Sequence, residues 1–176
     1  SRFGLWKDPI GVIEAYRMAK QEVPDLQLVL MGVIEAQDDP EAKLVLQKVQ
    51  DNSAGDPSIH LVWDPTTLPD QIDRVVNALQ TGSDVILQKS ILEGFGLTVT
   101  EAMWKGAAVV GGDVGGIRLQ IQDGVNGFLV SSPEQCAQRM VELLQNRGLR
   151  QDIGKAARES VRAQFLLPRL MRDYLK

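Results

Sequence analysis

Short apolar runs alternate with amphipathic stretches along most of this chain. The runs LQLVLMG, IHLVW, DVILQ, AAVVG and FLV have the length and side chains of buried strands. Between them, apolar residues recur at helical spacing, and Asp8-Pro9 and Asp39-Pro40 have the form of helix starts. The predicted strands cover 26–32, 59–63, 84–88, 107–111 and 128–130, and the predicted helices begin at Pro9, at Asp39 and near 69, 98, 117, 133, 149 and 168.

Strands that alternate with helices indicate βαβ units. The sequence therefore predicts one α/β domain over residues 1–176, with a Rossmann-like parallel sheet between two layers of helices. Ligands of such sheets bind beyond the carboxyl ends of the strands, which selects the loops 2–7, 32–38, 89–97 and 111–116. The chain opens on Ser1-Arg2-Phe3, as at the exit of a strand, so we expect it to be one half of a larger protein.

Charge and cysteine content exclude several classes of protein. The net charge is −4 and the basic residues are scattered, which argues against a nucleic-acid-binding surface but permits a small phosphate-bearing ligand. Cys136 is the only cysteine and His60 the only histidine, so neither an internal disulfide nor a zinc site is expected. No apolar run is long enough to span a bilayer and no signal peptide is visible, which favours the cytoplasm.

The stretch EGFGLTVTEAMWKG, at 93–106, holds the strongest candidate chemistry. Glu93 follows a predicted buried strand, and Gly94-Phe95-Gly96 predicts a tight turn with exposed backbone. A helix is predicted to start near Thr98. Because the first N–H groups of a helix are unpaired and carry partial positive charge, this start suits an anion such as a diphosphate.

Each candidate residue also has a purely structural interpretation. Thr98 and Glu101 fit a capping box, in which Glu101 bonds back to the cap amide instead of binding a ligand. Glu93 is either a ligand contact or a solvated loop charge, and Arg2 and Lys7 are either phosphate contacts or solvated cations. The loop GGDVGG, at 111–116, is either a tight turn or a ligand cradle, and it matches neither a dinucleotide fingerprint nor a P-loop.

Taken together, these segments resemble the C-terminal half of a family 4 retaining glycosyltransferase of GT-B fold. The matching segments are SRF…WKDP at 1–9, EGFGLTVTEA at 93–102 and GGIRLQIQDGVNGFLV at 115–130, in the expected order. The two glutamates correspond to the E-x7-E motif of that family. Within the family, SRF-x-x-WK, DVILQKS and EGFGLTVTEAMWKG are most similar to the trehalose synthases, which join a nucleotide-activated glucose to glucose.

The resemblance implies a role for the cationic end of the site. Arg2 and Lys7 would face the donor diphosphate and stabilise the leaving group as negative charge develops. The backbone amides of Gly96, Leu97 and Thr98 would add donors to the same phosphates.

It implies a different role for the two carboxylates. Glu101 would accept hydrogen bonds from ribose hydroxyls, while Glu93, with the backbone of Gly94 and Phe95, would hold the hydroxyls of the transferred sugar. The sugar end of the pocket would be lined by Gly115 and Gly116.

The resemblance further implies that no cofactor or bound metal takes part, and that the donor is a nucleoside-diphosphate glucose. The partners would be a sugar acceptor and an N-terminal acceptor domain that this chain lacks, so the chain alone would turn over little. The apolar residues Leu166, Leu167, Leu170 and Leu175 could contact that domain or a second copy of the chain. The nucleotide, the acceptor and the oligomeric state stay open. A non-catalytic nucleotide-binding module and a purely structural α/β domain are the alternatives.

Overall fold

The structure is a computed structural model that describes residues 4–32, 40–63 and 72–166. A 3-10 turn at Leu5–Lys7 precedes the first helix. The helices are α1 Pro9–Glu22, α2 Pro40–Ser53, α3 Ile72–Gly82, α4 Leu97–Trp104, α5 Ile117–Gln120, α6 Pro133–Gln145 and α7 Arg147–Gln164, and the strands are β1 Leu28–Met31, β2 Ile59–Val62, β3 Val85–Gln88, β4 Ala108–Gly112 and β5 Phe128–Val130.

All five predicted strands are present, in the predicted alternation with helices. The helix starts follow from local chemistry. The side chain of Asp8 accepts a hydrogen bond from the Gly11 N–H at 3.1 Å, and Pro9 occupies the first helical position. Ser132 caps α6 in the same way, again with a proline directly after it. These side chains satisfy amides that have no acceptor within the helix.

Strand β4 is the middle strand of the sheet β3-β4-β5, and all five of its residues are buried. Ala108 and Val110 face one apolar cluster, built mainly with α1, α2 and α6. Val109 points the other way, into a cluster built mainly with α4 and α7. Alternate residues of a strand face opposite sides of the sheet, so this division confirms an α/β fold with helices on both faces.

The strands pair in parallel, but within the described residues they form two sheets. One contains β1 and β2, and the other has the order β3-β4-β5. A cavity of about 660 Å³ is lined by every residue of β1 and β3. Strands β1 and β3 thus border the same cavity and do not pair with each other within the described residues, where the sequence predicts a single sheet.

Parts of the sequence-based predictions fall outside the described residues. These are Arg2, the loop residues 33–38, the predicted helix starts at Asp39 and near 69, and the predicted C-terminal helix at 168–176 with Leu167, Leu170 and Leu175. Leu166 is described, and it packs half-buried against the cluster of α4 and α7. Among the described helices, none combines the length and the apolar character that crossing a membrane requires.

Candidate functional site

The loop after β3 starts from buried polar residues. Gln88, Lys89 and Ser90 are each less than a tenth exposed. The Gln88 side chain donates to the Ser90 hydroxyl at 2.9 Å, and that hydroxyl donates to a carboxylate oxygen of Glu93 at 3.2 Å. The carboxylate of Glu93 is thus held by a chain of hydrogen bonds that starts inside the fold. Such a group has a defined orientation, which distinguishes it from a freely solvated loop charge.

The first loop of the chain is fastened to this second loop. The Ile91 N–H donates to the carbonyl of Trp6 at 2.9 Å. The ammonium group of Lys7 pairs with the same Glu93 oxygen that Ser90 contacts. With side-chain exposures of 24% and 13%, the Lys7–Glu93 pair is shielded but still reachable from solvent.

A second ion pair lies deeper beneath the first. Lys89, whose side chain is only 5% exposed, pairs with Asp8 at the amino end of α1. Asp8 has a φ of 48°, a left-handed conformation that Asp adopts more readily than most residues. A buried ammonium group without a partner would destabilise the fold. Asp8 therefore has two roles, because it neutralises Lys89 and caps α1.

The predicted glycine turn places a helix start beside these ion pairs. Gly96 has a φ of 84°, which favours glycine, and serves as the N-cap of α4. The helix begins at Leu97, one residue before the predicted start. The N–H groups of Leu97 and Thr98 occupy the first two helical positions and so have no acceptor within the helix. Because Leu97 is 68% exposed, this end of α4 faces solvent.

The capping box predicted at Thr98 and Glu101 is not formed. Gly96 takes the cap position without any side-chain hydrogen bond, which moves Thr98 inside the first turn. Glu101 is exposed, and its carboxylate accepts a long hydrogen bond of 3.5 Å from the Gln80 side chain. Glu101 therefore has no capping role.

The second glycine loop packs directly on the first, backbone against backbone. The Gly116 N–H donates to the Gly94 carbonyl at 2.9 Å. A β-carbon at Gly115 would lie 1.9 Å from the carbonyl oxygen of Glu93, and one at Gly116 would lie 2.2 Å from that of Gly94. Glycine is required here because the two loops touch. Gly94 itself has open space where a β-carbon would be.

Two further side chains line the rim of these loops. The ring of Phe95 is partly exposed and packs edge-on against Phe165, with ring centroids 5.7 Å apart. In the glycine loop, the guanidinium of Arg118 pairs with Asp113 and holds the pKa of that carboxyl below its ordinary value. The cations near the site that the structure describes, at 7, 89 and 118, are each paired with a carboxylate.

The structure therefore brings most of the predicted site residues together. Three loops meet through Lys7, Glu93 and the backbone of the glycine turn, and Glu101 lies one turn further along the exposed side of α4. Residues brought together are Lys7, Glu93, Gly94, Phe95, Gly96, Leu97, Thr98, Gly115 and Gly116. Arg2 lies outside the described residues. The described part of the chain holds no group of three or more histidine, cysteine or acidic side chains that could bind a metal.

Sequence reasoning missed residues that hold the loops of the site in place, namely Asp8, Lys89 and Ser90, and also Gln120, whose side-chain amide donates to the carbonyl of Phe95. A signal was present in DVILQKS, where polar residues continue an apolar strand without an intervening turn residue. For Asp8 the sequence indicates only a helix cap. Gln120 had a weaker signal, as a polar residue beside the apolar Leu119 and Ile121.

This arrangement is suited to a ligand with both an anionic part and a hydroxyl-bearing part. Lys7 and the amides that begin α4 would attract an anion, whereas the fixed carboxylate of Glu93 would accept hydrogen bonds from hydroxyls. In the free protein Lys7 and Glu93 neutralise each other. A ligand with both chemistries would replace that pairing with two new interactions.

Comparison with known proteins shows which family the chain is similar to. Residues 1–160 match the protein family described as Glycosyl transferases group 1. The chain is 46% identical over 176 residues to a trehalose synthase of Rubrobacter xylanophilus, covering 100% of this chain and 41% of that protein. It is 44% identical over 175 residues to a trehalose synthase of Thermococcus litoralis, covering 99% of this chain and 42% of that protein.

A solved structure resembles the fold across most of the chain. It is the C-terminal domain of a glycosyl transferase group 1 family protein from Francisella tularensis, with a TM-score of 0.76 and 26% identity. The match covers 94% of this chain and 83% of that domain. By contrast, the chain spans about two fifths of the length of the curated relatives that it matches.

Proposed function

Since this chain belongs to the group 1 glycosyl transferases, we propose that it is the donor-binding domain of a retaining glucosyltransferase. The donor is a nucleoside-diphosphate glucose and the acceptor is glucose, so the product is trehalose. The observation that carries this proposal is the Lys7–Glu93 pair beside the open amino end of α4. The identity to two trehalose synthases along the whole chain supports the choice of sugar and acceptor.

The diphosphate binds at the cationic end of the site. Lys7 contacts its oxygens together with Arg2, and the amides of Gly96, Leu97 and Thr98 donate to the same group. These donors stabilise the transition state most strongly as the bond between sugar and phosphate breaks, because negative charge then accumulates on the departing diphosphate. The amides of Leu97 and Thr98 belong to the folded start of α4, so little energy is lost in reorganising them.

The sugars are held by the two carboxylates. Glu93 accepts hydrogen bonds from hydroxyls of the transferred glucose, next to the exposed backbone of Gly94 and Phe95. Gly115 closes the sugar end, and Gly116 supports it from below by bonding to Gly94. Glu101, exposed on the next turn of α4, accepts hydrogen bonds from the ribose hydroxyls.

Transfer with retention of configuration needs no side chain as a covalent nucleophile. The acceptor hydroxyl attacks the anomeric carbon from the face that the diphosphate leaves. The bond from that carbon to the phosphate oxygen breaks while the bond to the acceptor oxygen forms. The hydroxyl proton passes to the departing phosphate oxygen, so charge and atoms balance.

A second domain supplies the acceptor site, and the two domains close over the reactants. We therefore propose that the 176-residue chain binds the donor weakly and catalyses little transfer when alone. We propose no nucleic-acid partner, because the net charge is −4 and the basic residues are scattered. We also propose a cytoplasmic location, which agrees with a chain whose one cysteine cannot form an internal disulfide.

The test is a transfer assay on the longer protein, with radiolabelled nucleoside-diphosphate glucose and glucose as substrates. Trehalose should form, and Glu93→Gln should lower kcat/KM by about 100-fold or more, in the range typical for loss of a group that stabilises the transition state. The 176-residue chain should be inactive under the same conditions. Donor binding without formation of any glucoside would instead indicate a non-catalytic nucleotide-binding module.

A further inference from the structure

The buried side chain of Gln120 connects the two glycine loops. Gln120 is the last residue of α5 and is 2% exposed. Its amide nitrogen donates to the carbonyl of Phe95, and it lies 3.4 Å from the carbonyl of Gly96 and 3.3 Å from that of Gly116. Its amide oxygen accepts from the hydroxyl of Thr100 at 2.5 Å, so a single side chain contacts the turn, the glycine loop and α4.

The backbone of Gln120 is itself held in place. The side chain of Asn126, which is 5% exposed, donates to the Gln120 carbonyl at 3.1 Å. The same side chain accepts from the Gln122 N–H at 2.7 Å. Gln120 is therefore anchored at both ends, by Asn126 through its backbone and by α4 through its side chain. Its side chain therefore fixes the position of the glycine turn relative to the second glycine loop.

The carbonyl contacts decide where the neighbouring amides point. In a trans peptide the C=O and the following N–H point in opposite directions. Since the carbonyls of Phe95 and Gly96 face the buried Gln120, the N–H groups of Gly96 and Leu97 face away from it. These are two of the amides that the proposed function assigns to the donor diphosphate.

We propose that Gln120 is a positioning residue that aims the amides of the glycine turn at the donor diphosphate. The inference rests on the proposed function. A neutral amide is suited to the task because it offers two N–H donors to the carbonyls and one acceptor to Thr100. Leucine has a similar size but offers neither, so it would leave the carbonyl of Phe95 without this donor and free the turn to rotate.

The test compares diphosphate affinity at matched stability. Calorimetric titration with UDP and ADP is performed on the 176-residue chain, on Gln120→Leu, on Thr100→Val and on Val49→Ala. Val49 is fully buried in α2, on the opposite cluster from the site, so its variant controls for a general loss of stability. The stability of each variant is measured by urea unfolding.

Gln120→Leu should weaken binding of the preferred nucleotide by about tenfold, which is the effect of one well-placed hydrogen bond to a charged group. Thr100→Val should weaken nucleotide binding less. This substitution removes the hydrogen bond from Thr100 to Gln120 but leaves the hydrogen bonds from Gln120 to the carbonyls. Val49→Ala should bind as the parent chain does, even where its loss of stability is similar.

Equal affinity of Gln120→Leu and the parent chain would overturn the inference and leave the proposed function intact. A loss of affinity in Val49→Ala as large as that in Gln120→Leu would also overturn it, because general destabilisation would then explain both. If the parent chain and the longer protein both fail to bind UDP and ADP, the proposed function fails, and the inference fails with it.

Discussion

The backbone of Gly115 lies so close to Glu93 that a β-carbon on the glycine would stand 1.9 Å from the glutamate's carbonyl oxygen. Gly115 also has a φ of 41°, which disfavours any residue with a side chain. Gly115→Ala should therefore push the two loops apart and destabilise the protein by about 1–3 kcal/mol, as overpacked interiors do. Urea unfolding measures the change. Donor binding should weaken as well, because Glu93 is displaced.

The matched control for that change is Gly94→Ala. Gly94 belongs to the same pair of loops, yet a β-carbon there meets no atom within 4 Å, and its φ is not positive. Its stability should stay within about 0.5 kcal/mol of the parent. A loss as large as that of Gly115→Ala would contradict the close packing described for these loops.

Glu101→Ala should have little effect on stability. The carboxylate is exposed and makes a single long hydrogen bond to Gln80, and it does not cap α4. We expect a change in the free energy of unfolding below about 0.5 kcal/mol, the usual range for surface substitutions. A loss of about 1 kcal/mol would instead match a capping box, and would show that the cap forms in solution.

The capping box that the sequence predicts at Thr98 and Glu101 does not form, which shows a limit of prediction from local pattern. Thr98 and Glu101 have the right spacing, and local pattern alone predicts the cap correctly in many helices. Here Gly96 competes for the same position, and the choice between the two depends on how the turn packs on the second glycine loop. That packing joins residues about 20 positions apart, so no local pattern reports it.

The fold was more predictable than the site. Alternating apolar runs and helical stretches were enough to find every described strand, because burial on both sides of a sheet leaves a strong pattern. The site depends on pairs such as Lys7 with Glu93 and Asp8 with Lys89, which are more than 80 residues apart in sequence. Polar residues of this kind carry no periodic signal, and Gln120 was not identified at all from sequence.

Cys136 should be chemically silent in the folded protein. Its side chain is fully buried in α6, and burial raises the pKa of the thiol to about 12. At about pH 8 the group is therefore neutral as well as inaccessible, so it should not react with an aromatic disulfide reagent in the native state. Addition of urea should release one reactive thiol per chain. Rapid labelling without denaturant would contradict this placement.

Asp56 should contribute to stability in a pH-dependent way. The N–H of Ser58, followed by Lys20 and Tyr16, bonds to the ionised carboxylate and lowers its pKa below the ordinary value of 3.8. Because folding favours the ionised form, this stabilisation is present at neutral pH and disappears as the pH falls through the lowered pKa.

Asp56→Asn cannot ionise, so its stability should fall less steeply in acid than that of the parent. Urea unfolding at a series of pH values from neutral to below 3.8 measures both slopes. The exposed Asp25 provides the control, as Asp25→Asn. Parallel curves for the parent and Asp56→Asn would show that the contacts of Asp56 do not favour its ionised form.

The Lys7–Glu93 pair and the amino end of α4 are central to the proposed function, as the donor site for a nucleoside-diphosphate glucose. The most direct test is calorimetric titration of the 176-residue chain with UDP, ADP and their glucose conjugates, together with Glu93→Ala and Glu101→Ala. We predict weak binding that requires the diphosphate, is stronger for the glucose conjugate, and is reduced in both variants while they remain folded. Binding that is unchanged in Glu93→Ala, or that shows no preference for the glucose conjugate, would contradict this assignment.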